Sequence, residues 1–189
     1  MRSKRALIVT GITESGSGVV PFLRQCGFSD VCTAVSGDEA RRCTVQDNFD
    51  LILINMPLTD EMGDRLAVQM SSSTSAGIIL LCRSDAADEI GCRTSEHGVS
   101  IITKPIHKSA FHQAISSGMS VRNRLVCMKQ ENVRLQNKLR EMRIVSRAKC
   151  LLIEKKSMTE KEAHRYIEKL AMDTRRTREK TAEEIISML

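Results

Sequence analysis

Basic side chains in the last fifty residues form the most prominent chemical group of this sequence. They include Arg147, Lys149, Arg175, Arg176 and Arg178. Guanidinium and ammonium groups bind phosphate oxygens, and each such contact releases counterions from a nucleic acid. Basic residues in this segment are therefore candidate contacts for a polyanion.

The charge of the chain is divided unevenly along its length. Residues 1–116 contain 11 Lys and Arg against 13 Asp and Glu, whereas residues 117–189 contain 18 against 10. This asymmetry predicts that only the second half binds a polyanion. Lys and Arg are also common on solvated helix surfaces, so charge alone leaves that second interpretation open.

Five short apolar runs in the first 112 residues alternate with helical stretches. Such runs are typical of strands buried on both faces of a parallel sheet. The predicted strands are Ala6–Val9, Val31–Val35, Leu51–Ile54, Ile78–Leu81 and Val99–Ile102, and the predicted helices lie near 17–27, 38–47, 62–72 and 85–95. Gly27 and Gly98 are predicted helix stops, and Asp38 and Asp85 are predicted N-caps. This alternation of strands and helices predicts a doubly wound, flavodoxin-like sheet of five βα units.

Over about residues 4–115 this pattern resembles the receiver domain of two-component response regulators. Residues 50–57, Asp-Leu-Ile-Leu-Ile-Asn-Met-Pro, fall where that family has its third strand and phosphoacceptor, and Thr103-Lys104-Pro105 falls where it has a lysine and a proline. The resemblance implies that Asn55 replaces the phosphoacceptor and that Thr10 and Gly11 replace the acidic pair that holds Mg²⁺. It also implies that Cys82 replaces the switch hydroxyl and Ile101 the switch aromatic.

These replacements predict a domain without phosphotransfer. An amide cannot carry an acyl-phosphate, and without the acidic pair little charge remains to hold a divalent cation. Asp50 and Asp60 are the alternative acceptors, because each lies five residues from Asn55 in the sequence. Lys104 is either a relic that caps the strand ends or part of a pocket for another anion. We expect a pseudo-receiver that acts by protein docking and dimerisation.

A long helix is predicted from His107 onward, since only Gly118 interrupts the helical pattern before the last helices. Apolar residues recur at alternating spacings of three and four over 119–145, which is typical of a coiled coil. A buried Asn132 would be satisfied best by its symmetry mate in a parallel dimer. An amphipathic helix packed on its own domain is the alternative. The predicted dimerisation residues are Val121, Leu125, Met128, Asn132, Leu135, Leu139 and Met142.

The chain then changes to three short basic helices whose motif order resembles the ANTAR domain, the RNA-binding module of bacterial transcription antiterminators. The matching motifs are Arg147 to Leu152, Thr159 to Ala163, Leu170 to Arg176, and Ala182 with Ile185 and Ile186. Thr159 and Glu162 form a predicted capping box, and Asp173-Thr174 is the predicted next turn. The predicted core of this module includes Tyr166 and Met172.

The ANTAR resemblance implies RNA contact through Lys149 and Arg175, with Arg147, Arg176 and Arg178 as further candidates. It also implies that a dimer engages paired stem-loops in a leader transcript. Loops suit such a protein because their bases are unstacked and their phosphates converge. Tyr166 either stacks on a base or packs in the core with its hydroxyl at the rim.

The expected fold class is α/β plus all-α, and the expected domains are a flavodoxin-like pseudo-receiver at 1–115, a coiled-coil linker helix at 116–143 and a three-helix ANTAR module at 144–189. The expected function is RNA-binding antitermination without enzymatic activity, cofactor or metal. A regulatory protein docking on the first domain is the expected signal. A DNA-binding response regulator and a protein-interaction module without nucleic-acid binding are the alternatives.

Other features of the sequence favour a cytoplasmic protein without a catalytic centre. No apolar run approaches a membrane span, and the run after Met1 is too short for a signal peptide. The seven cysteines show no CxxC spacing and are interpreted as free thiols. The Gly11–Gly18 stretch lacks the Lys-Ser/Thr of a phosphate-binding loop.

Overall fold

The computed structural model describes residues 3–11 and 18–189. The chain divides into two compact units, Met1–Cys127 and Met128–Leu189. Residue 17, the predicted start of the first helix, lies outside the described residues, as do residues 12–16 of the glycine-rich stretch. None of the described helices has an apolar stretch long enough to cross a bilayer.

The first unit is a five-stranded parallel sheet with the strand order β2-β1-β3-β4-β5. Helices follow the strands in alternation, which confirms the predicted flavodoxin-like fold. The strands are β1 (Lys4–Thr10), β2 (Phe28–Ala34), β3 (Leu51–Asn55), β4 (Gly77–Arg83) and β5 (Ser100–Lys104). The helices are α1 (Val20–Gln25), α2 (Gly37–Gln46), α3 (Asp64–Ser73), α4 (Ala87–Thr94) and the beginning of α5 (Lys108–Lys156).

Burial explains which strand boundaries the apolar pattern predicts well. All five residues of β3 are buried, and so are the last five of β1, so their apolar runs match the strands. β2 is an edge strand that begins three residues before the predicted Val31 and ends at Ala34. Its early residues include the polar Ser29 and Asp30, and an edge strand tolerates polar side chains because one side lies open to solvent.

The two predicted aspartate caps are wrong. Ser36 is the N-cap of α2, where its hydroxyl accepts the Glu39 N–H at 3.1 Å, and Asp38 lies inside the first turn. Asp85 lies in the short 3₁₀ turn Ser84–Ala86, and Ala86 precedes α4. The two predicted glycine stops are confirmed, since Gly27 and Gly98 have φ values of 88° and 68°, which glycine adopts without a steric penalty.

Two contacts hold α5 against the amino edge of this sheet. The backbones of α5 and β4 meet at Gly118 and Gly77, where a Cβ atom on Gly77 would lie 2.6 Å from the Gly118 carbonyl oxygen. One turn later, the mostly buried Arg122 forms an ion pair with the buried Asp50. Asp50 Oδ2 also accepts the backbone N–H of Arg5 at 2.8 Å.

The second unit consists of the end of α5 with α6 (Glu160–Thr174) and α7 (Arg178–Met188). Its small core is formed by one apolar face of each helix. The buried members are Ala148, Leu152, Ala163, Ile167, Ala182 and Ile185. The predicted capping box is confirmed, because Thr159 accepts the Glu162 N–H and the Glu162 carboxylate accepts the Thr159 N–H at 2.8 Å.

Three details of this unit differ from expectation. The turn after α6 comes later than Asp173-Thr174, because the helix continues to Thr174 and Arg175 adopts φ 52°. The N–H groups of Arg175 and Arg176 donate to the carbonyls of Met172 and Ala171 at 3.2 and 3.0 Å, which is the Schellman pattern of a helix end. The Met172 side chain is 79% exposed, and Tyr166 also lies at the surface, so neither belongs to the core.

Candidate functional site

At the carboxyl edge of the first unit, Thr10 and Asn55 end two neighbouring strands and are register partners. Asn55 Nδ2 donates to Thr10 Oγ1 at 3.1 Å, and both residues are buried. A neutral hydrogen bond therefore lies where the receiver resemblance implies a phosphoacceptor and its acidic neighbour. This pair has no charge with which to bind a divalent cation.

Gly11 follows Thr10 in a tightly packed position. A Cβ atom on Gly11 would lie 3.1 Å from the Thr59 backbone nitrogen and 3.2 Å from the Leu58 carbonyl carbon. Even a methyl group on Gly11 would therefore require the loop at Leu58 and Thr59 to shift. The position that the resemblance equates with the second acidic residue therefore has little room for a side chain.

Lys104, at the end of β5, donates from Nζ to the Met56 carbonyl at 2.7 Å. Burial lowers the pKa of this ammonium group, and Lys104 has no ion pair with any carboxylate in the described residues. The neighbouring Cys82 is buried in β4, and burial raises the pKa of its thiol. The lysine thus connects the end of β5 to the residue after β3.

Asp50 and Asp60 are the two alternative acceptors that the sequence offers. Asp50 precedes β3 and lies at the amino end of the strand, opposite Asn55, so its proximity in sequence was misleading. The Asp60 carboxylate accepts the N–H groups of Gly37 and Asp38 at 2.9 and 3.1 Å, and these bonds lower its pKa. Both carboxylates are already held by other partners. Within residues 3–11 and 18–189, no group of three or more His, Cys, Asp or Glu could hold a metal ion.

Three of the predicted RNA contacts lie along two grooves of the second unit. Lys149 and Arg178 line the first groove, of about 240 Å³, with Met142 and Val145. Arg178 and Arg176 line the second groove, of about 400 Å³, with Met172. Because Arg178 lines both, Lys149, Arg178 and Arg176 form a continuous basic band, whereas Arg147 and Arg175 are exposed and line neither groove.

Each cation of this band faces a carboxylate. Lys149 Nζ lies 3.0 Å from Glu160 Oε1, and Arg176 is paired with Glu184. Arg178 lies 3.5 Å from Glu141 and 3.6 Å from Glu168, on α5 and α6 respectively. The side chains of Arg147 and Arg175, in contrast, form no ion pair with any acidic residue that the structure describes. The five candidates therefore comprise three paired and two unpaired cations.

Sequence reasoning missed other residues of the first groove, among them Lys138 and His164. Lys138, Met142, Val145 and Lys149 follow one another at helical spacings of four, three and four, so a helical projection would have placed Lys138 on the same face of α5 as Lys149. His164 comes from α6, and only the packing of the helices reveals it. A further basic residue, Lys156, lies with its Nζ 5.3 Å from the Tyr166 ring centroid, so this surface tyrosine already has a cationic neighbour.

The predicted dimerisation residues form an apolar stripe along α5. Val121, Met128, Leu135, Leu139 and Met142 are 36–64% exposed, Leu125 is partly buried and Asn132 is exposed. The residues that the structure describes thus leave most of the stripe uncovered.

Residues 133–186 match the family described as the ANTAR domain. Over 186 residues, covering 98% of this chain and 91% of that protein, the sequence is 26% identical to the transcriptional regulatory protein PdtaR of Mycobacterium tuberculosis. The similarity extends through both units. Nearly the whole chain, and not the C-terminal helices alone, is therefore similar to a regulator of transcription.

Solved structures resemble the first part of the chain. A CheY-like response regulator receiver domain protein from Methanospirillum hungatei has a TM-score of 0.58 at 21% identity and covers 65% of this chain and 98% of that one. An adenylate cyclase structure from Rhodopirellula baltica also has a TM-score of 0.58, at 23% identity, covering 70% and 98%. Identities this low establish the receiver fold alone. The first unit thus has a receiver-like fold, residues 133–186 match the ANTAR domain, and nearly the whole chain is similar to a transcriptional regulatory protein, which together support an ANTAR response regulator with a receiver-like first domain.

Proposed function

We propose that this protein binds RNA as a homodimer and regulates transcription by antitermination in the cytoplasm, without enzymatic activity. The observation that carries the proposal is the ANTAR domain, whose surface has a basic band at Lys149, Arg178 and Arg176. Stem-loops in a leader transcript are the ligand that best suits this surface. Phosphates converge at a loop, and arginine can stack on the unpaired bases as well as bind phosphate.

The receiver-like domain is controlled by contact with a regulatory protein and not by aspartyl phosphorylation. Support comes from the neutral Asn55–Thr10 hydrogen bond and from the close packing around Gly11. Neither position offers a carboxylate for phosphoryl transfer or for Mg²⁺. Docking of a regulatory protein on this domain is then the route for a signal.

Dimerisation occurs through the apolar stripe of α5. Its exposed residues repeat at coiled-coil spacing, and a second copy of the helix would remove them from water. Two ANTAR units carried by one dimer can then bind two stem-loops at once. Simultaneous binding raises the overall affinity through effective concentration, without any new contact.

The RNA proposal is tested by fluorescence anisotropy with a labelled twin stem-loop RNA. Charge reversal by Lys149→Glu or Arg175→Glu should weaken binding about tenfold, since each removes a charge-assisted phosphate contact. Lys161→Glu is the matched control, because Lys161 is an exposed cation on α6 that is not among the five predicted contacts and lines neither groove. Equal competition by duplex DNA would favour a DNA-binding regulator, and an absence of binding at low salt would favour a protein-interaction module.

Intact mass spectrometry tests the mode of control. After incubation with a small phosphodonor and Mg²⁺, the protein should keep its mass, whereas a receiver domain with an intact acidic site should gain a phosphoryl group. A stable adduct on the first unit of this chain would refute control without phosphorylation.

Light scattering at micromolar concentration and moderate salt tests the dimer. Leu135→Asp should shift the protein to a monomer, because it introduces a charge into the stripe. Asn137→Asp adds the same charge on the same helix but lies outside the predicted seam, so it should leave the dimer intact. A monomeric wild-type protein would contradict the proposal.

A further inference from the structure

We propose that Glu160 and Glu184 set the RNA affinity of the ANTAR unit by occupying the cations that RNA phosphates would bind. This inference rests on the proposed RNA binding and adds residues that regulate it. The two glutamates act as intramolecular competitors of phosphate. RNA must displace them before it reaches Lys149 and Arg176.

The Lys149–Glu160 pair shows how such competition works. The Lys149 side chain is only 20% exposed, whereas that of Glu160 is 78% exposed, and their charged atoms lie 3.0 Å apart. The lysine is thus held in place, while the glutamate can turn into solvent. A phosphate that arrives in the first groove can replace the carboxylate with little change in the position of the ammonium group.

Arg176 and Glu184 form the second such pair. Their side chains are 48% and 41% exposed, so both groups are accessible to solvent and to a ligand. Arg176 lines the second groove, and Arg176 and Glu184 together line a further groove near the end of α7. RNA that binds Arg176 therefore has to displace the neighbouring Glu184 carboxylate.

Arg178 is a different case. It bridges Glu141 on α5 and Glu168 on α6 from the start of α7, so its two carboxylates connect all three helices of the unit. Displacing them would loosen the packing of the unit as well as free a cation. Arg178 therefore contributes to the packing of the unit as well as to the basic band, and the competing role is restricted to the other two pairs.

The strength of these pairs suits competition. Exposed ion pairs are worth only a few tenths of a kilocalorie to about one, which corresponds to about a two- to fivefold change in affinity for each. An isolated phosphate therefore gains little from either cation. An RNA loop that presents several phosphates together can displace both glutamates, while the unpaired Arg147 and Arg175 bind without displacement. The pairs thus favour structured loops over single phosphates.

The test measures binding of the twin stem-loop RNA to full-length Glu160→Gln and Glu184→Gln proteins. Glu154→Gln is the matched control, because Glu154 is an exposed glutamate of the same unit that forms no ion pair with any described residue. At 50 mM salt, each test variant should bind about two- to fivefold more tightly than the control variant. At 200 mM salt the gain should shrink, because screening already weakens the pairs in the wild-type protein.

Repeating the measurement in a Lys149→Gln protein distinguishes competition at Lys149 from the effect of the change in total charge. In this background, Glu160→Gln should improve binding no more than Glu154→Gln does, since the cation it would release is absent. An equal gain in both backgrounds, or gains no larger than that of the control, would overturn the inference. Because Glu160 begins α6, circular dichroism monitors folding, and Glu184→Gln provides an independent test away from that helix start.

The outcomes distinguish this inference from the proposed function. If the wild-type protein binds RNA and the glutamine variants match the control, only the competing role of the glutamates is wrong. If neither the wild-type protein nor the variants bind RNA at 50 mM salt, both proposals are wrong.

Discussion

The strand ends of the receiver-like unit and the helices of the ANTAR unit contain polar groups in contrasting environments. At the strand ends, Asn55 and Thr10 are buried and neutral, and Lys104 binds a backbone carbonyl. On the ANTAR helices, charges are plentiful and lie at the surface in pairs such as Lys149 with Glu160. Buried polar groups depend on fixed geometry, whereas exposed pairs exchange partners readily and respond to salt. We therefore expect the first unit to be sensitive to packing and the second to ionic strength.

The largest expected effect concerns the buried ion pair of the first unit. Asp50→Asn leaves Arg122 mostly buried without a counter-ion, so it should reduce the free energy of unfolding by about 3 kcal/mol. Urea unfolding measures the change. Combining Asp50→Asn with Arg122→Met should cost less than Asp50→Asn alone, because no unpaired charge remains.

Asp30→Asn is the control for that substitution. It removes an exposed partner of Arg5 in the same unit and should cost less than about 1 kcal/mol. Equal losses of unfolding free energy from Asp50→Asn and Asp30→Asn would show that a buried ion pair stabilises this unit no more than an exposed one.

The next effect tests the dependence of the first unit on packing. Gly77→Ala places a methyl group against the Gly118 carbonyl and should destabilise the protein by about 2 kcal/mol, at low and high salt alike. Gly118→Ala is the matched change on the other side, where the nearest atom to a new Cβ is 3.6 Å away. It should be neutral or stabilising, since alanine favours a helix interior. Urea titrations at two salt concentrations measure the free energy of unfolding of both variants. A loss from Gly77→Ala that changes with salt, or a loss from Gly118→Ala, would contradict this expectation.

A smaller effect is expected at the start of α6. Thr159→Ala removes the capping hydroxyl and should cost about 1 kcal/mol, while Thr159→Ser keeps the hydroxyl and should cost much less. Hydrogen exchange of the α6 amides measures the loss locally. A loss spread equally over both units would contradict the local role of the cap.

The smallest expected effect is a lowered pKa of one carboxylate in each unit, and here the two units should behave alike. Hydrogen bonds from Thr159 lower the pKa of Glu162, and backbone N–H groups of Gly37 and Asp38 lower the pKa of Asp60. A lowered pKa means that the ionised form stabilises the fold above the pKa of the unfolded chain. This contribution is lost as the pH falls through the lower, folded-state pKa. NMR titration should give midpoints below the usual 4.5 for Glu162 and 3.8 for Asp60. Midpoints at or above those values would contradict the hydrogen bonding at both helix starts.

The sequence predicts the fold well because local patterns determine most of it. Strands buried on both faces leave continuous apolar runs, as in β3, and the capping box at Thr159 is a four-residue signal. The beginning of β2 was missed because an edge strand accepts Ser29 and Asp30. Asp38 was mistaken for a cap because its type suits that position, although Ser36 occupies it.

The candidate sites are less accessible to sequence reasoning because their properties depend on tertiary contacts. The changed residues at Thr10, Gly11 and Asn55 can be read from the resemblance to receivers, but the closure around Gly11 depends on a loop some fifty residues away. Likewise, the basic residues can be identified from composition, but not the particular glutamates that face them. Asp50 shows the same limit, since only the direction of β3 places it at the edge of the sheet away from Asn55.

The left-handed backbone at Arg175 has a consequence for how this position can vary. A non-glycine residue with φ 52° is less stable there than glycine by about 1 kcal/mol, because its Cβ crowds the neighbouring carbonyl. A sequence optimised for folding alone would have glycine at this helix end. Arginine here supplies a cation, free of any ion pair within the described chain, at the expense of backbone conformational energy. Backbone stability and the placement of a cation therefore favour different residue types at this one position.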